Sequence, residues 1–257
     1  MVRKALVRRP SPLLADGIVT HIDREAADVE LALQQWQGYV EALQGQGWDV
    51  FEVEPAPDCP DSVFIEDPVV VFGDLAVLTS LGALERRDEV KGVAEAVSRH
   101  GYSVEQLRLP GTLDGGDVLK VGNKVYVGLS GRTNHEGIAQ LAALVEPRGF
   151  RVITVPLTKV LHLKSAVTAL PDGTVVGYPP LVDSVEAFEN FLAVPEESGS
   201  HVVVLDDNTV LMADSAPNSA ELFAGRGLDV VTVDISEFEK LEGCVTCLSV
   251  RLRDAPR

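Results

Sequence analysis

The sequence predicts an α/β protein in which four or five ββαβ units form a ring, because its local patterns recur in a fixed order. Four pairs of turn residues, each between short β-rich runs, predict hairpins at Gly73-Asp74, Gly122-Asn123, Asp172-Gly173 and Asp207-Asn208. A helical pattern is expected after each hairpin and a single strand after each helix. The first three turns lie about 50 residues apart, which is typical of structural repeats.

Apolar residues at three- and four-residue spacing predict amphipathic helices. The apolar positions are Val29, Leu33, Trp36, Val40 and Leu43 in the first helix, Val90, Val93, Ala94 and Val97 in the second, and Ile138, Leu141, Leu144 and Val145 in the third. Thr133 with Glu136 three residues later has the pattern of a capping box, which predicts that Thr133 opens the third helix. Single strands are expected over residues 48–53, 103–109, 150–155 and 229–233.

Each unit must bury its helix against its own sheet and its neighbours, so a closed ring, an α/β propeller, is favoured. A doubly wound α/β sheet is the alternative, but it places crossover helices after single strands rather than after hairpins. No linker rich in Pro, Gly or Ser divides the sequence, and residues 1–257 are therefore expected to form one domain. The ligand site is expected at one end of the axis, where loops from several units meet.

The charge of the chain restricts its partners. With 22 Lys and Arg against 39 Asp and Glu, the formal net charge is −17. A basic surface for nucleic acid is therefore missing, and a small cationic ligand is favoured. No apolar run approaches the roughly 20 residues of a membrane span, and Ala5-Leu6-Val7 is too short for the core of a signal peptide. We therefore expect a cytoplasmic protein that binds neither nucleic acid nor a membrane.

Three cysteines, Cys59, Cys244 and Cys247, are too few for a disulfide-stapled secreted fold, and reduced thiols are expected. Cys244 and Cys247 form a Cys-x-x-Cys sequence, which occurs in redox proteins and metal sites. Val245 and Thr246 between them favour an extended segment, in which residues three apart point to opposite faces. On this interpretation the two thiols point apart, and a redox or zinc role is disfavoured.

Two acidic clusters each precede a predicted hairpin. Residues 61–68 contain Asp61, Glu66 and Asp67, and residues 111–117 contain Asp114 beside two glycines. Each cluster alone is explained almost as well by an ordinary turn. Because Asp67 and Asp114 occupy corresponding positions in their units, we expect both to face one centre and to bind a cation.

Further candidate residues lie later in the chain or next to predicted helix starts. His162 stands in an apolar stretch, where a hydrogen-bonded core histidine is slightly the more common case. Cys247 follows 85 residues later, and the two form a nucleophile and proton carrier only if the fold joins them. Arg86 and Arg132 suit either bidentate carboxylate recognition or a surface ion pair.

Taken together, six motifs in order resemble the dimethylarginine dimethylaminohydrolases: residues 61–68, 85–87, 111–117, 132–134, 161–164 and 243–249. The resemblance implies the five-bladed α/β propeller of the pentein fold. It implies hydrolysis of Nω-methylated L-arginines to L-citrulline and di- or monomethylamine, without a metal or organic cofactor. The expected partner is a small cationic methylarginine, and the expected state is a monomer or a homodimer.

The resemblance also implies roles for individual residues. Cys247 is expected to be the nucleophile and His162 the general acid and base, with Asp114 as a catalytic carboxylate that binds the guanidinium together with Asp67. Substrate contacts, including a lid around Ile18 and two arginines on the substrate carboxylate, are expected at Ile18, Asp61, Phe64, Glu66, Asp67, Arg86 and Arg132. The sequence departs from the family at Asp114, where some relatives have Glu, and at Cys244, where glycine or an aliphatic residue is frequent.

Three other functions remain open at this point. An arginine deiminase uses a related centre but usually has a helical insertion and a longer chain, and amidinotransferases are also usually longer. A non-catalytic propeller that binds a ligand or protein would be expected to lack Cys247, His162 or one of the acids. We therefore expect a methylarginine hydrolase.

Overall fold

The structure is a computed structural model that describes residues 3–252. The expected domain of residues 1–257 thus extends beyond the described range at both ends. The strands are β1 (Arg3–Val7), β2 (Trp48–Glu52), β3 (Val69–Phe72), β4 (Leu75–Leu78), β5 (Ser103–Gln106), β6 (Val118–Val121), β7 (Lys124–Leu129), β8 (Arg151–Pro156), β9 (Val167–Ala169), β10 (Val175–Gly177), β11 (Phe191–Ala193), β12 (Val203–Val204), β13 (Thr209–Ala213), β14 (Asp229–Val233) and β15 (Val250–Leu252). The α-helices are α1 (Val29–Gly45), α2 (Val93–Arg99), α3 (His135–Val145), α4 (Leu163–Ala166), α5 (Pro217–Gly225) and α6 (Ser236–Glu239).

The strands form five three-stranded sheets with one topology. Their orders are β3-β4-β5, β6-β7-β8, β9-β10-β11, β12-β13-β14 and β15-β1-β2. In each sheet the first strand pairs antiparallel with the second, and the second pairs parallel with the third. This repeated arrangement confirms the predicted five-bladed α/β propeller, and all four predicted hairpin turns lie between paired strands.

The fifth sheet joins the two ends of the described chain. Strand β15 pairs antiparallel with β1, with Lys4 opposite Leu252 and Leu6 opposite Val250. Leu6, Val250 and Leu252 are all buried in this closure. The ring is therefore closed by strands from opposite ends of the chain, an arrangement that leaves no unit at an open end.

The core lies between neighbouring sheets, and the alternation of strand side chains divides it. Val69 and Val71 of β3 pack in a cluster with α2, whereas Val70 and Phe72 pack in the next cluster with α3. Successive strand residues point to opposite faces, so a strand buried on both faces is apolar throughout. This explains why β3 is apolar at every position.

Two expectations about helices need correction. The expected second helix, over residues 90–97, is interrupted: a 3-10 turn covers Leu84–Val90, and α2 begins only after Gly92, which has a φ of 77°. This left-handed conformation suits glycine and cannot continue a helix. In the third blade, 3-10 turns at Pro179–Leu181 and Val185–Ala187 replace the helix between β10 and β11.

The inner strands surround an axial cavity of about 280 Å³. Residues from β3, β6, β9, β12 and β15 line it, together with polar groups at one end. Among residues 3–252, no helix has the length and apolar character needed to cross a membrane.

Candidate active site

The predicted site residues converge at one end of the ring, on segments that lead into inner strands. Asp67 precedes β3, Asp114 precedes β6, His162 lies just before α4, and Cys247 precedes β15. One pocket is lined by eight of the ten predicted residues: Ile18, Asp61, Phe64, Asp67, Arg86, Arg132, His162 and Cys247. The other two, Asp114 and Glu66, do not line it.

His162 is buried between two carboxylates. Its Nε2 lies 3.0 Å from Oδ2 of Asp114, and its Nδ1 lies 3.8 Å from Oδ1 of Asp67. Burial alone would lower the pKa of His162, but the charge of Asp67, the bond to Asp114 and the charge of Asp117 raise it to about 9. The ring is therefore an imidazolium at neutral pH, the form that can give a proton to a leaving group.

Asp67 stays ionised despite complete burial. Burial would raise its pKa, but the charges of His162 and Arg86, together with hydrogen bonds from Arg86 and the Gly116 amide, lower it to about 2. Both hydrogen bonds measure 2.8 Å. A Cβ at Gly116 would lie 2.5 Å from His162 Nδ1 and 2.8 Å from Asp67 Oδ1, so only glycine allows this close approach.

Asp114 orients His162 from behind the pocket. Its Oδ2 faces His162, while its Oδ1 accepts a hydrogen bond of 2.8 Å from the Gly82 amide. The side chain is fully buried. This position fits the predicted catalytic carboxylate. Asp114 faces His162 rather than the pocket, so the geometry does not include the contact expected between Asp114 and a bound guanidinium group.

Asp117 is a buried carboxylate that the sequence analysis did not select. It accepts hydrogen bonds from the Leu163 amide at 2.9 Å and from the hydroxyls of Ser130 and Thr133 at 2.7 and 2.6 Å. Burial raises its pKa to about 6 against these bonds. Because Leu163 follows His162, Asp117 fixes the segment that carries the imidazole.

The helix cap assigned to Thr133 was wrong. Asn134 is the N-cap of α3, and its side chain accepts a 2.8 Å hydrogen bond from the Gly137 amide. Thr133 instead donates to Asp117 and accepts from the Asp114 amide. The hydroxyl is used by the site, which the capping pattern in the sequence could not indicate.

The two predicted arginines have different surroundings. Arg86 donates to Asp67 at 2.8 Å and to both carboxylate oxygens of Glu89, at 2.8 and 2.7 Å. Arg132 is also buried, but its Nη1 has no hydrogen-bond partner and lies 3.6 Å from Asp114 Oδ2. A buried donor without a partner is costly. Arg132 is therefore the cation in this pocket with spare capacity for an anionic group.

The expectation that Cys244 and Cys247 point apart was wrong. The segment is a turn rather than a strand: the Cys247 amide donates to the Cys244 carbonyl at 3.0 Å. The two Sγ atoms lie 3.4 Å apart. Local β propensity predicted the extended form, but the loop turns here before β15 begins at Val250.

The ionisation of the two thiols is coupled. The hydrogen bond with Cys247 lowers the pKa of Cys244 to about 5, and the same bond raises the pKa of Cys247 well above its usual value. Since the two sulfurs are coupled, their ionisation belongs to the pair, and proton transfer over this short distance exchanges the negative charge between them. These shifts favour the negative charge on Cys244, and Cys247 becomes the thiolate when its proton moves to Cys244.

A segment around Ile18 covers the pocket. The Ile18 amide donates to both carboxylate oxygens of Asp61, at 3.2 and 3.1 Å. The amides of Thr20 and His21 donate to Glu242 at 2.8 and 2.7 Å. Glu242 lines the pocket and has a φ of 61°, which is rare outside glycine. Sequence analysis missed Glu242 because nothing local marks a glutamate in a charged turn.

Glu66 lies on the axial cavity rather than in the pocket. Its carboxylate pairs with Lys164 at 2.6 Å and with Arg251 at 3.0 Å. Arg251 also donates to the carbonyls of Thr246 and Ser249, at 3.0 and 2.6 Å. Glu66 is thus linked through Arg251 to the loop that carries Cys247, and it does not lie with the residues that line the pocket.

Three side chains of the site have the atoms of a possible metal centre. Asp67, Asp114 and His162 offer ligand atoms within 4.8 Å of one another. Both carboxylates already accept hydrogen bonds, and the guanidinium of Arg86 contacts Asp67 directly. Neighbouring fixed cations oppose a divalent ion, so this arrangement is better suited to orienting an imidazole.

Known proteins with similar sequences identify the family. A family model described as N,N dimethylarginine dimethylhydrolase, eukaryotic, matches residues 18–170. The N(G),N(G)-dimethylarginine dimethylaminohydrolase of Streptomyces coelicolor is 63% identical over 252 residues, which cover 98% of each chain. The chain belongs to the dimethylarginine dimethylaminohydrolase family. The family resemblance of the six motifs is thereby confirmed.

Solved dimethylarginine dimethylaminohydrolase structures share the fold. A cysteine-to-serine variant from Pseudomonas aeruginosa in complex with citrulline has a TM-score of 0.91 at 35% identity, covering 98% of this chain and 100% of that chain. A histidine-to-glycine variant, as an adduct with S-methyl-L-thiocitrulline, has a TM-score of 0.91 at 34% identity, with the same coverage. The family assignment therefore extends over almost the whole chain.

Proposed function

We propose that this chain hydrolyses Nω-methylated L-arginines to L-citrulline and di- or monomethylamine, with Cys247 as the nucleophile. The observation that carries the proposal is that Cys247 and His162 open on one pocket, with Asp114 holding the imidazole at 3.0 Å. A guanidinium carbon is a poor electrophile, and a thiolate with an adjacent acid suits it. Three cysteines without a disulfide support a cytoplasmic location.

In the first half of the reaction, the Cys247 thiolate forms a bond to the guanidinium carbon. The bond from this carbon to the methylated nitrogen breaks, and the His162 imidazolium gives its proton to the departing amine. The product on the enzyme is an S-alkylthiouronium. A pKa of His162 near 9 supports this role because the proton is in place at neutral pH.

In the second half, neutral His162 takes a proton from water as the water oxygen attacks the thiouronium carbon. The carbon–sulfur bond then breaks and the remaining hydroxyl proton passes to solvent, where the released amine takes it up. This step regenerates the Cys247 thiolate and the imidazolium and releases citrulline. Asp114 stabilises the charged ring in both halves. No metal or organic cofactor takes part in these steps.

Binding uses the charges that surround the pocket. Asp67 has lone pairs beyond those used by Arg86 and Gly116, and they suit the substrate guanidinium. Arg132 has the spare donor for the substrate carboxylate, with Arg86 beside it, and Asp61 suits the ammonium group next to the Ile18 amide. Phe64 provides an apolar wall for the methylene chain. Glu66 faces the axial cavity and is not assigned a substrate contact.

The substitution pattern of the guanidinium tests the proposal. Because Asp67 must keep an unsubstituted nitrogen as its donor, asymmetric dimethylarginine and monomethylarginine fit with the methylated nitrogen toward His162. Symmetric dimethylarginine has a methyl group on both terminal nitrogens, so the nitrogen that faces Asp67 has a methyl group in place of one of its two N–H donors. Each hydrogen bond that a buried carboxylate loses in this way costs roughly 1–3 kcal/mol or more. We expect the first two compounds to be hydrolysed and the third to be inert.

The measurement is kcat/KM for citrulline formation from arginine and the three methylated arginines, with Cys247→Ser as the inactive control. If plain arginine is the best substrate, the chain is an arginine deiminase. If none of the four compounds gives citrulline and the control binds none of them, the chain is a non-catalytic propeller and the proposal fails.

A further inference from the structure

Cys244 has no part in the reaction proposed above, yet its sulfur lies 3.4 Å from that of the nucleophile. The two residues span one turn, closed by the 3.0 Å hydrogen bond from the Cys247 amide to the Cys244 carbonyl. Such a turn keeps its end Cα atoms within about 7 Å, and disulfides need about 4.4–6.8 Å. The backbone is therefore already close to the geometry of a disulfide.

The two sulfurs differ in access. Cys247 lines the pocket, whereas Cys244 is buried behind it and is not among the lining residues. A small uncharged oxidant that enters the pocket therefore meets Cys247 first. The third cysteine, Cys59, is buried and does not line the pocket.

The short contact between the sulfurs makes the pair reactive. Across the 3.4 Å between them, the proton of Cys247 can move to an ionised Cys244, which leaves the thiolate at Cys247. Thiolates, rather than thiols, are the forms that peroxides oxidise and that attack other sulfurs. One sulfur of this pair can therefore be oxidised by a peroxide, and the other can then attack the oxidised sulfur.

We propose that Cys244 is a resolving cysteine, which closes a disulfide with Cys247 after a hydroperoxide has oxidised the nucleophile. In the first step the Cys247 sulfur takes a hydroxyl oxygen from the peroxide, the O–O bond breaks, and water or an alcohol leaves. In the second step the Cys244 sulfur attacks the sulfenic sulfur of Cys247, an S–S bond forms, and water leaves. Two thiols are oxidised and one peroxide is reduced.

The disulfide would switch off turnover reversibly, and for this effect on activity the inference rests on the proposed function. It also protects the nucleophile, because a sulfenic acid without a partner thiol proceeds to sulfinic and sulfonic acids. Thiol reductants return the disulfide to two thiols. Cys244 therefore converts a permanent lesion into a temporary one.

The test follows the thiols directly and needs no substrate. Trypsin cleavage after Lys240 and Arg251 places both cysteines in one peptide, residues 241–251, while Cys59 lies in another. The wild-type protein and the variants Cys244→Ala and Cys59→Ala are treated with a small excess of hydrogen peroxide, alkylated and analysed by mass spectrometry without reduction.

In wild type and Cys59→Ala we expect peptide 241–251 to be unalkylated and to lack the two thiol hydrogen atoms. After treatment with a thiol reductant, both cysteines of this peptide should become available for alkylation. In Cys244→Ala we expect sulfinic and sulfonic acid at Cys247. Citrulline formation, measured relative to each variant's own starting rate, should return after reduction in wild type and not in Cys244→Ala.

The inference is overturned if wild type accumulates sulfinic acid at Cys247 and no disulfide peptide forms. This result is read from wild type, so it does not depend on how well the variant folds. A disulfide that forms in a protein without any methylarginine hydrolysis would contradict the proposed function alone. The two failures are therefore distinguishable.

Discussion

The charge of His162 comes from the carboxylates that face it. Burial favours neutral imidazole, so without Asp67, Asp114 and Asp117 the ring would lose its proton at lower pH. Asp114 acts at the shortest distance, 3.0 Å from Nε2. The protonation state of His162 at neutral pH is thus set by its neighbours rather than by the histidine itself.

Replacing Asp114 by Asn should therefore move the pH dependence of the enzyme. The substitution removes the negative charge that stabilises the imidazolium and leaves a neutral amide beside it, so the pKa of His162 falls below its present value of about 9. The basic limb of the kcat/KM profile reports the acid of the free enzyme. We expect this limb to shift toward neutral pH and the maximum rate to fall by roughly tenfold or more.

The matched control is Asp58→Asn, which removes the same charge at an exposed position. Its profile should coincide with that of wild type. If Asp114→Asn lowers the rate at all pH values but leaves the basic limb in place, Asp114 does not set the pKa of His162.

At the level of single elements, residues 18–21, the expected lid, are held by two side chains from other parts of the chain. Glu242 accepts the amide hydrogens of Thr20 and His21, and its buried carboxylate also lies 3.5 Å from the His21 ring. Asp61 holds the same segment at Ile18. The expected lid is therefore fixed by two carboxylates: Asp61 holds Ile18, and Glu242 holds the residues two and three positions later.

Replacing Glu242 by Gly should loosen the lid without disturbing its own backbone, because glycine readily adopts the φ of 61° found there. Each lost hydrogen bond to a charged group is worth about 1.5–3 kcal/mol. We expect KM for asymmetric dimethylarginine to rise roughly tenfold or more, with a smaller change in kcat. Amide hydrogen exchange at residues 18–21 should become faster.

The comparison variant is Glu221→Gly, at an exposed position on α5. It should leave both KM and the exchange of residues 18–21 unchanged. Unaltered exchange in Glu242→Gly would show that Asp61 alone holds the lid.

The elements also show what the sequence could predict and what it could not. Turn pairs such as Gly122-Asn123 and the apolar spacing of α1 are local signals, and both features are present in the structure. The turn at Cys244 and the cap at Asn134 depend on distant groups. Tyr39 of α1 donates to the Val245 carbonyl at 2.9 Å and so fixes the first of these loops. Local propensity carries no information about such contacts.

At the site, too, local sequence patterns did not indicate contacts between distant segments. The motifs selected eight residues that line the pocket, because a family resemblance includes tertiary information that spacing lacks. The sequence did not indicate Asp117, although it lies in the same motif as Asp114. Its hydrogen-bond partners come from other segments of the chain, and they are Ser130, Thr133 and Leu163. Glu66 was selected by its place beside Asp67, but it faces the axial cavity.

In the whole molecule, the described chain ends and the site lie at opposite ends of the ring. The inner strands begin at the site, so the hairpin turns that follow them lie at the opposite end of the ring. The described ends are adjacent, with Lys4 opposite Leu252 in the fifth sheet. Joining them and opening the chain elsewhere would keep every blade complete if the new ends fall in an exposed turn.

A circular permutant that begins at Asn123 and ends at Gly122, with the natural ends joined by a short Gly/Ser linker, should therefore fold and remain active. Gly122 and Asn123 are exposed in the β6-β7 turn, and the loops carrying Asp67, His162 and Cys247 stay intact. The comparison permutant is opened between Ser130 and Gly131, where Ser130 accepts the Arg132 amide at 3.0 Å and donates to Asp117. Circular dichroism and citrulline formation measure folding and activity. We expect native-like spectra and substantial turnover from the first permutant, and a loss of turnover from the second because Arg132 and Asp117 are released. If the first permutant does not fold, the order of the strands along the chain is required for the ring, and closure by β15 and β1 is not equivalent to the other blade connections.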